Sequence, residues 1–547
     1  MKILDKFIKY IIFLLIFVFI GLPFLYVFKE AFTADGGNSI DFILNVFKEN
    51  KNLFVNSITV GFIVSVLTTV FSAIIGLYCF LSGKIHQKII SAILLVTMIS
   101  PPFVTSLSYI NLFGRRGFIT YNLLKLNINP YGMTGIVLME TLGFLSLSCL
   151  MVISYLNNLD SASINSAIDL GANTNHVVID ILIPQLKNTL ISVFFLTFIR
   201  SIADFGTPAI IGGKFNVLAS EGYMAVISKG DIKTAAVINI MILIPSVIMF
   251  IIYSKSMRKN NVNSNSAQSA IIDKKSAVFY FLCVISVFLL SWLVIQYASI
   301  ILSAFTKMKN NELIFTFENF RNSKSYITNT ITRSIVYSLI SAFFGSMIGL
   351  LMAYYSIIKK SKVIKVADYI SNLPYILPGT FFGLGYLLAF NHKPLMLVGT
   401  SAIVVLNVLF KQMPFSTKVM NSHVLSISED EINSAQDLGA NFIYVFKDIV
   451  LPLTKKGFTV TFINAFTATM TTIGSIIFLV YPGQKVLTLV MFDVINSGNY
   501  NIGSVIALII ILICLVVNGG YYLLTKIGDK KWFWVLKTLL KFTKIKQ

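Results

Sequence analysis

Apolar runs of about 20 residues recur along this whole chain, each long enough to cross a hydrocarbon layer of about 30 Å. Lipid offers no partner to a free backbone N–H or C=O, so each run has to close its own hydrogen bonds as a helix. The runs place spans near residues 8–28, 54–81, 88–112, 132–157, 188–212 and 236–254. A second set follows near 277–304, 328–358, 366–390, 397–418, 456–481 and 503–525. The expected class is an all-α integral membrane protein with about twelve transmembrane helices. Composition agrees, since 12% of residues are charged against roughly 25% in soluble globular chains. With 56% hydrophobic residues, a chain of this length cannot hide its apolar surface in a water-facing fold.

The net charge of +21 raises the question of nucleic acid. The lysines answer it by where they stand. They cluster between apolar runs, as at Lys84 and Lys88, or Lys359, Lys360, Lys362 and Lys365. Basic loops of this kind orient a membrane protein with those loops inside, and they argue against a nucleic-acid face. Lys2, Lys6 and Lys9 put the N-terminus inside, and the basic C-terminal segment falls there too. Arg115 and Arg116 fall outside, against the trend. The apolar stretch after Lys9 runs to about Phe28, longer than a signal-peptide core of about 7–15 residues, so a retained first helix is expected. Cys79, Cys149, Cys283 and Cys514 all lie inside apolar runs without CxxC spacing and read as packing residues.

The chain repeats itself. Asn56-Ser57-Ile58-Thr59 matches Asn329-Thr330-Ile331-Thr332 at an offset of 273, as do Ile75-Gly76-Leu77 with Ile348-Gly349-Leu350, and Pro101 with Pro374. Further on the offset is 268: Asp180, Pro184, Lys187, Gly206 and Gly230 match Asp448, Pro452, Lys455, Gly474 and Gly498. The first half therefore has five extra residues, in the loop that holds Gly114-Arg115-Arg116-Gly117. The expected organisation is a first six-helix repeat over 1–254, a polar cytoplasmic linker over 255–276, a second repeat over 277–527 and a basic cytoplasmic tail over 528–547. An even number of spans per repeat makes the two copies parallel.

One polar segment stands out in each half. Asn165-Ser166-Ala167-Ile168-Asp169-Leu170-Gly171-Ala172-Asn173 matches Asn433-Ser434-Ala435-Gln436-Asp437-Leu438-Gly439-Ala440-Asn441. In both, proline follows glycine by 13 residues, at Pro184 and Pro452. The spacing predicts a short helix, a glycine break, a second short helix and a proline-marked start of the next span. Each is then a compact knuckle on the cytoplasmic side, able to dock one copy of a cytoplasmic partner. An ordinary connecting loop would not need the same polar residues twice.

These segments resemble the characteristic loop of binding-protein-dependent ABC importer permeases, in the Gly-Ala pair, the Gly-to-Pro spacing and the Ile-x-Ile/Leu-Pro ending. That loop normally begins Glu-Ala-Ala, whereas this chain has Asn-Ser-Ala at Asn165-Ser166-Ala167 and Asn433-Ser434-Ala435, which removes the carboxylate. The resemblance covers both halves. Two further stretches, Ala203-Asp204-Phe205-Gly206-Thr207-Pro208-Ala209-Ile210-Ile211-Gly212 and Leu373-Pro374-Tyr375-Ile376-Leu377-Pro378-Gly379-Thr380, resemble the fused ferric iron and 2-aminoethylphosphonate permeases. The resemblance implies a type I importer permease in a bacterial inner membrane. It also implies two cytoplasmic ATP-binding subunits seated on loops that contain Asn165, Ser166, Ala167, Asp169, Gly171, Ala172 and Pro184, and Asn433, Ser434, Ala435, Asp437, Gly439, Ala440 and Pro452. An extracytoplasmic solute-binding protein would deliver the substrate, with ferric iron expected and 2-aminoethylphosphonate as the alternative.

The chain lacks a phosphate-cradling GxxxxGK[ST] loop, since Gly83-Lys84 and Gly213-Lys214 are not followed by a hydroxyl residue. ATP is then used by the partner subunit, and no cofactor, metal or catalytic residue is expected here. Within the spans, ionisable groups are costly and mark pathways. Glu140, Arg200 and Asp204 are the candidates, and a helix through 188–212 would let Arg200 and Asp204 pair four residues apart. A structural pair and a pathway role for Asp204 both fit that spacing. At the 268 offset their counterparts are Ala468 and Thr472, so a charged site would be asymmetric. A twelve-helix secondary transporter would share the topology without needing twin knuckles. A membrane enzyme would need a nucleophile or paired-carboxylate constellation that the sequence does not offer.

Overall fold

A computed structural model describes residues 2–33, 39–101, 103–126, 129–159, 162–258, 276–309, 312–481 and 483–525. Most of the expected linker, the whole basic tail and Pro102 lie outside the described residues. Lys51–Ser82 shows how a long helix forms in apolar surroundings. No proline interrupts it, and its hydroxyls turn back on carbonyls four residues earlier: Ser57 to Leu53 and Thr59 to Val55, each at 2.8 Å. These two hydroxyls thereby find a partner within their own helix. The same helix carries Gly76 where Met133–Asn157 crosses it, and a Cβ there would lie 2.4 Å from Val152 Cγ1. Small residues let helix backbones approach closely where lipid supplies no hydrophobic drive.

Among the described residues, eight helices are long and apolar enough to span a membrane: Asp5–Ala31, Lys51–Ser82, Met133–Asn157, Thr174–Ile202, Ile232–Lys255, Ala277–Phe305, Thr330–Ile358 and Tyr500–Gly520. Lys84–Ile99 and Phe103–Tyr121 form an apolar helix pair bent by 100°, the geometry of a broken span or a re-entrant loop. The other runs are interrupted. The run expected over 366–390 divides into Lys362–Ser371, a tight turn at Leu373–Tyr375 and Gly379–Ala389. Pro374 and Pro378 fall in the breaks, because proline donates no backbone bond and crowds the preceding turn. The run over 397–418 parts at Gln412, ahead of Pro414. The run over 456–481 is helical only over Lys455–Thr471. A short hairpin departs from the all-α expectation: Thr306–Lys309 pairs antiparallel with Glu312–Phe315, Thr306 opposite Phe315. The Phe305 and Phe315 rings stack beside it, 5.7 Å apart.

The chain forms two compact units that are not its sequence halves. One contains residues 40–323 and 491–508, so Ala277–Phe305 belongs to it. Tyr297 of that helix donates to the Thr97 carbonyl at 3.1 Å, and Trp292 stacks on Phe113. The other unit gathers the described parts of residues 1–39, 324–490 and 509–547. There the first helix packs on Gly379–Ala389: Tyr386 donates to the Phe19 carbonyl at 2.7 Å. A Cβ on Gly385 would come within 2.5 Å of the Pro23 carbonyl oxygen.

Each unit also contains the same polar staple. In one, Leu218 N donates to Ser57 Oγ at 2.8 Å and Asn56 Nδ2 donates to the Asn216 carbonyl at 3.1 Å. In the other, Leu487 N donates to Ser334 Oγ at 2.9 Å and Arg333 Nη1 donates to the Lys485 carbonyl at 3.0 Å. Leu218 and Leu487 begin short apolar helices, whose first N–H groups have no partner inside the helix. The side chains that make the staple, Ser57 and Ser334, and Asn56 and Arg333, lie 277 apart, one helical turn beyond the 273 of the sequence match, so on that helix the contact recurs one turn along.

Candidate functional site

The repeated polar segments build two corners of the same design. Ala162–Asp169 is a short helix, followed by Leu170 and by Gly171 at φ +87°. Gly171 N donates to the Ile168 carbonyl and Ala172 N to the Ala167 carbonyl, each at 2.9 Å. This paired closure ends a helix by placing a left-handed residue just past it, a conformation that glycine adopts without steric cost. Glu429–Asp437 ends identically: Gly439, at φ +84°, donates to Gln436, and Ala440 donates to Ala435, again at 2.9 Å.

The next residue starts the following helix. Asn173 Oδ1 accepts from His176 N at 3.1 Å, and Asn441 Oδ1 accepts from Ile443 N at 2.9 Å, satisfying first-turn donors. Gly-Ala-Asn is thus a complete corner: helix stop, one linking residue, helix start. The start does not stay short. Helix runs unbroken through Pro184 from Thr174 to Ile202. A widened turn makes this possible, with Ile183 N reaching back five residues to the Val178 carbonyl and Leu451 N to the Phe446 carbonyl. Widening ahead of Pro184 and Pro452 relieves the clash between a proline ring and the carbonyl four residues before it.

Burial divides each corner into an anchor and a face. Ile164 and Ile432 are buried, whereas Asn165, Ser166, Asp169, Gly171 and their matches Asn433, Ser434, Asp437, Gly439 are exposed. Ala167, Ala172, Ala435 and Ala440 are half-buried. At the apex stand Leu170 and Leu438, 88% and 89% exposed. Reading the motif for its polar residues overlooks them. Their signal is a large apolar side chain in a polar stretch, one residue before the glycine, in both halves. The same large apolar side chain thus stands exposed at the same place in both corners, directly before the left-handed glycine.

The second corner is tied down further. Phe442 stacks on Tyr355, ring centroids 5.7 Å apart, and packs edge-on against Tyr354. Tyr355 donates to Asp5 Oδ1 at 2.9 Å, which brings the first helix into the cluster. At the matching positions the first half has Leu81, Ser82 and Thr174, so it has no such aromatic cluster.

The three ionisable candidates inside the spans come together. Glu140, Arg200 and Asp204 all line one cavity of about 180 Å³, with Gly143, Gln296 and Tyr297 also in its wall. The helical pairing expected of Arg200 and Asp204 does not apply, because Ile183–Ile202 ends before Asp204. Asp204 instead starts the next helix, Gly206–Ile211: its Oδ1 accepts from Gly206 N at 2.9 Å and its Oδ2 from Thr207 Oγ1 at 2.6 Å. Glu140 is buried; its Oε2 accepts a short bond from Ser201 Oγ, and its Oε1 has no partner. Among the described residues, no three His, Cys, Asp or Glu side chains gather as a metal site.

Comparison with known proteins adds an independent line. A family model described as binding-protein-dependent transport system inner membrane component matches residues 69–259 and again 345–527. A ferric transport system permease protein of Actinobacillus pleuropneumoniae is 25% identical over 522 residues, covering 92% of this chain and 76% of the relative. A putative ferric transport system permease protein of Haemophilus influenzae is 26% identical over 502 residues, covering 88% and 79%. A putative 2-aminoethylphosphonate transport system permease protein of Salmonella typhimurium is 26% identical over 242 residues, covering 44% of this chain and 87% of the relative.

Proposed function

The chain belongs to the binding-protein-dependent transport system inner membrane components, and on that premise we propose that it is a fused permease for ferric iron. Each half supplies one corner, and each corner seats one of two cytoplasmic ATP-binding subunits. Closure of those subunits on ATP levers the helices between inward- and outward-facing arrangements, and hydrolysis resets them. An extracytoplasmic binding protein delivers the solute. In this reading the protein sits in a bacterial inner membrane with both termini and both corners on the cytoplasmic side, which the lysine distribution supports.

The observation that carries this reading is the twin corner: the same paired closure at Gly171 and Gly439, with the same leucine exposed at each apex. A secondary transporter has no use for two docking knuckles. Iron is favoured because the ferric permease relatives align over most of this chain, whereas the aminoethylphosphonate relative aligns with less than half of it.

The test is the double variant Gly171→Pro, Gly439→Pro. Proline cannot reach φ near +85° and has no N–H to give to Ile168 or Gln436, so both corners open. ATP-dependent uptake is expected to disappear while the protein remains inserted in the membrane. Uptake equal to wild type would remove the corners from the mechanism.

A further inference from the structure

The cavity beside Asp204 gains meaning from what occupies the matching place in the other half. There Lys411 ends the helix Ser401–Lys411, and its Nζ donates to Thr472 Oγ1 at 3.2 Å. At the 268 offset, Lys411 corresponds to Gly143 and Thr472 to Asp204. For Gly143 and Lys411 the offset holds locally, since their helices start at Met133 and Ser401. One half therefore has a tethered ammonium against a hydroxyl. The other half has a carboxylate and, in place of the lysine, a glycine that leaves space. A Cβ on Gly143 would meet only Thr105, at 3.7 Å, and both Gly143 and Asp204 line the cavity of about 180 Å³.

We propose that this cavity is a cation site, taking up in the first half the positive group that Lys411 supplies covalently in the second. The donor set favours it. The wall carries the carboxyl oxygens of Glu140 and Asp204 beside one guanidinium, Arg200. It also holds two side chains whose acceptor oxygens have no partner, Glu140 Oε1 and Gln296 Oε1, on residues 2% and 1% exposed. A buried acceptor without a donor is costly, and at membrane depth it marks an ion or substrate path. A hard metal cation and a substrate ammonium group share the chemistry this site recognises. As the place where a transported solute pauses, the site rests on the permease reading; as a binding site it does not.

Two experiments separate those claims. Calorimetric titration of the detergent-purified full chain, with ferric citrate measured against an iron-free citrate blank and separately with 2-aminoethylphosphonate, needs no partner protein. The probe that binds identifies the source of the charge. Its affinity is expected to fall about tenfold or more in Asp204→Asn, the change that losing one charge-assisted contact produces. Asparagine still accepts from Gly206 N, so the local fold is kept. If neither probe binds, or if binding is equal in wild type and Asp204→Asn, the cation site is overturned.

The second experiment measures uptake of the same probe by the reconstituted transporter with its ATPase and binding protein. Gly143→Lys is expected to fill the site with its own ammonium and block uptake, while Gly143→Met, of similar length and uncharged, retains it. Equal loss in both variants would make the effect steric and overturn the proposal. A wild type that binds the probe but moves none of it on ATP addition would sink the reading of that probe as the transported solute and leave the site standing.

Discussion

Leu170 and Leu438 stand 268 residues apart at the same place in two corners, each directly before a left-handed glycine and each almost wholly exposed. On the proposed reading, a cytoplasmic ATP-binding subunit covers each of them. Leu170→Ala and Leu438→Ala are each expected to weaken capture of the ATP-binding subunit by about tenfold, the effect of removing a moderate interface anchor. Neither change should lower the thermal stability of the isolated permease, because neither residue is packed. Co-purification of the ATPase with each variant, alongside a melting curve, checks both halves of the statement.

Gly171 and Gly439 separate two causes that are often confused. A Cβ at either position meets nothing within 4 Å, so alanine there is strained only through its backbone. The expected destabilisation is about 1–2 kcal/mol, and asparagine, which tolerates the left-handed region, should recover part of it. Gly76→Ala is different in kind. Its Cβ would collide with Val152 and push two long helices apart, so a larger loss of folded protein is expected. Comparing yields of folded protein for Gly171→Ala, Gly171→Asn and Gly76→Ala tests the ordering.

Tyr355 links the first helix to the second corner by two separable contacts. Tyr355→Phe keeps the stack on Phe442 and removes only the bond to Asp5, at an expected cost of about 1.5–3 kcal/mol for a bond to a charged group. Asp5→Ala should cost a similar amount, and the double variant little more than either alone. Additive losses in the double-mutant cycle would show that the bond contributes nothing.

Ser57 and Ser334 each satisfy the first N–H of a short apolar helix. Replacing either serine by alanine strands a buried donor and is expected to cost about 1–3 kcal/mol. Hydrogen exchange should quicken at residues 218–221 in Ser57→Ala and at 487–490 in Ser334→Ala, each within its own unit. Exchange that quickens at neither place would remove the staple as a stabilising contact.

Sequence alone determined the membrane class, because backbone groups in lipid must bond within their own segment and runs of the right length are visible directly. It also determined the corners. The whole closure, from Ala167 to Asn173 and from Ala435 to Asn441, is made by residues within a few positions of one another, so glycine, alanine and asparagine can be read in order. Even there, the exposed Leu170 was overlooked, and helix continuing through Pro184 was not expected, because a widened turn leaves no mark in composition.

Tertiary structure decided the rest. Grouping Ala277–Phe305 with residues 40–276, and the first helix with residues 324–490, could not be read from hydropathy, since the inside of a helix bundle is about as apolar as the lipid outside it. A membrane helix therefore carries little periodic signal to say which neighbour it meets. The same holds for Glu140, Arg200 and Asp204. The sequence picked them out by their charge, and only the packing of separate helices brought them to one cavity, opposite a glycine whose counterpart is lysine.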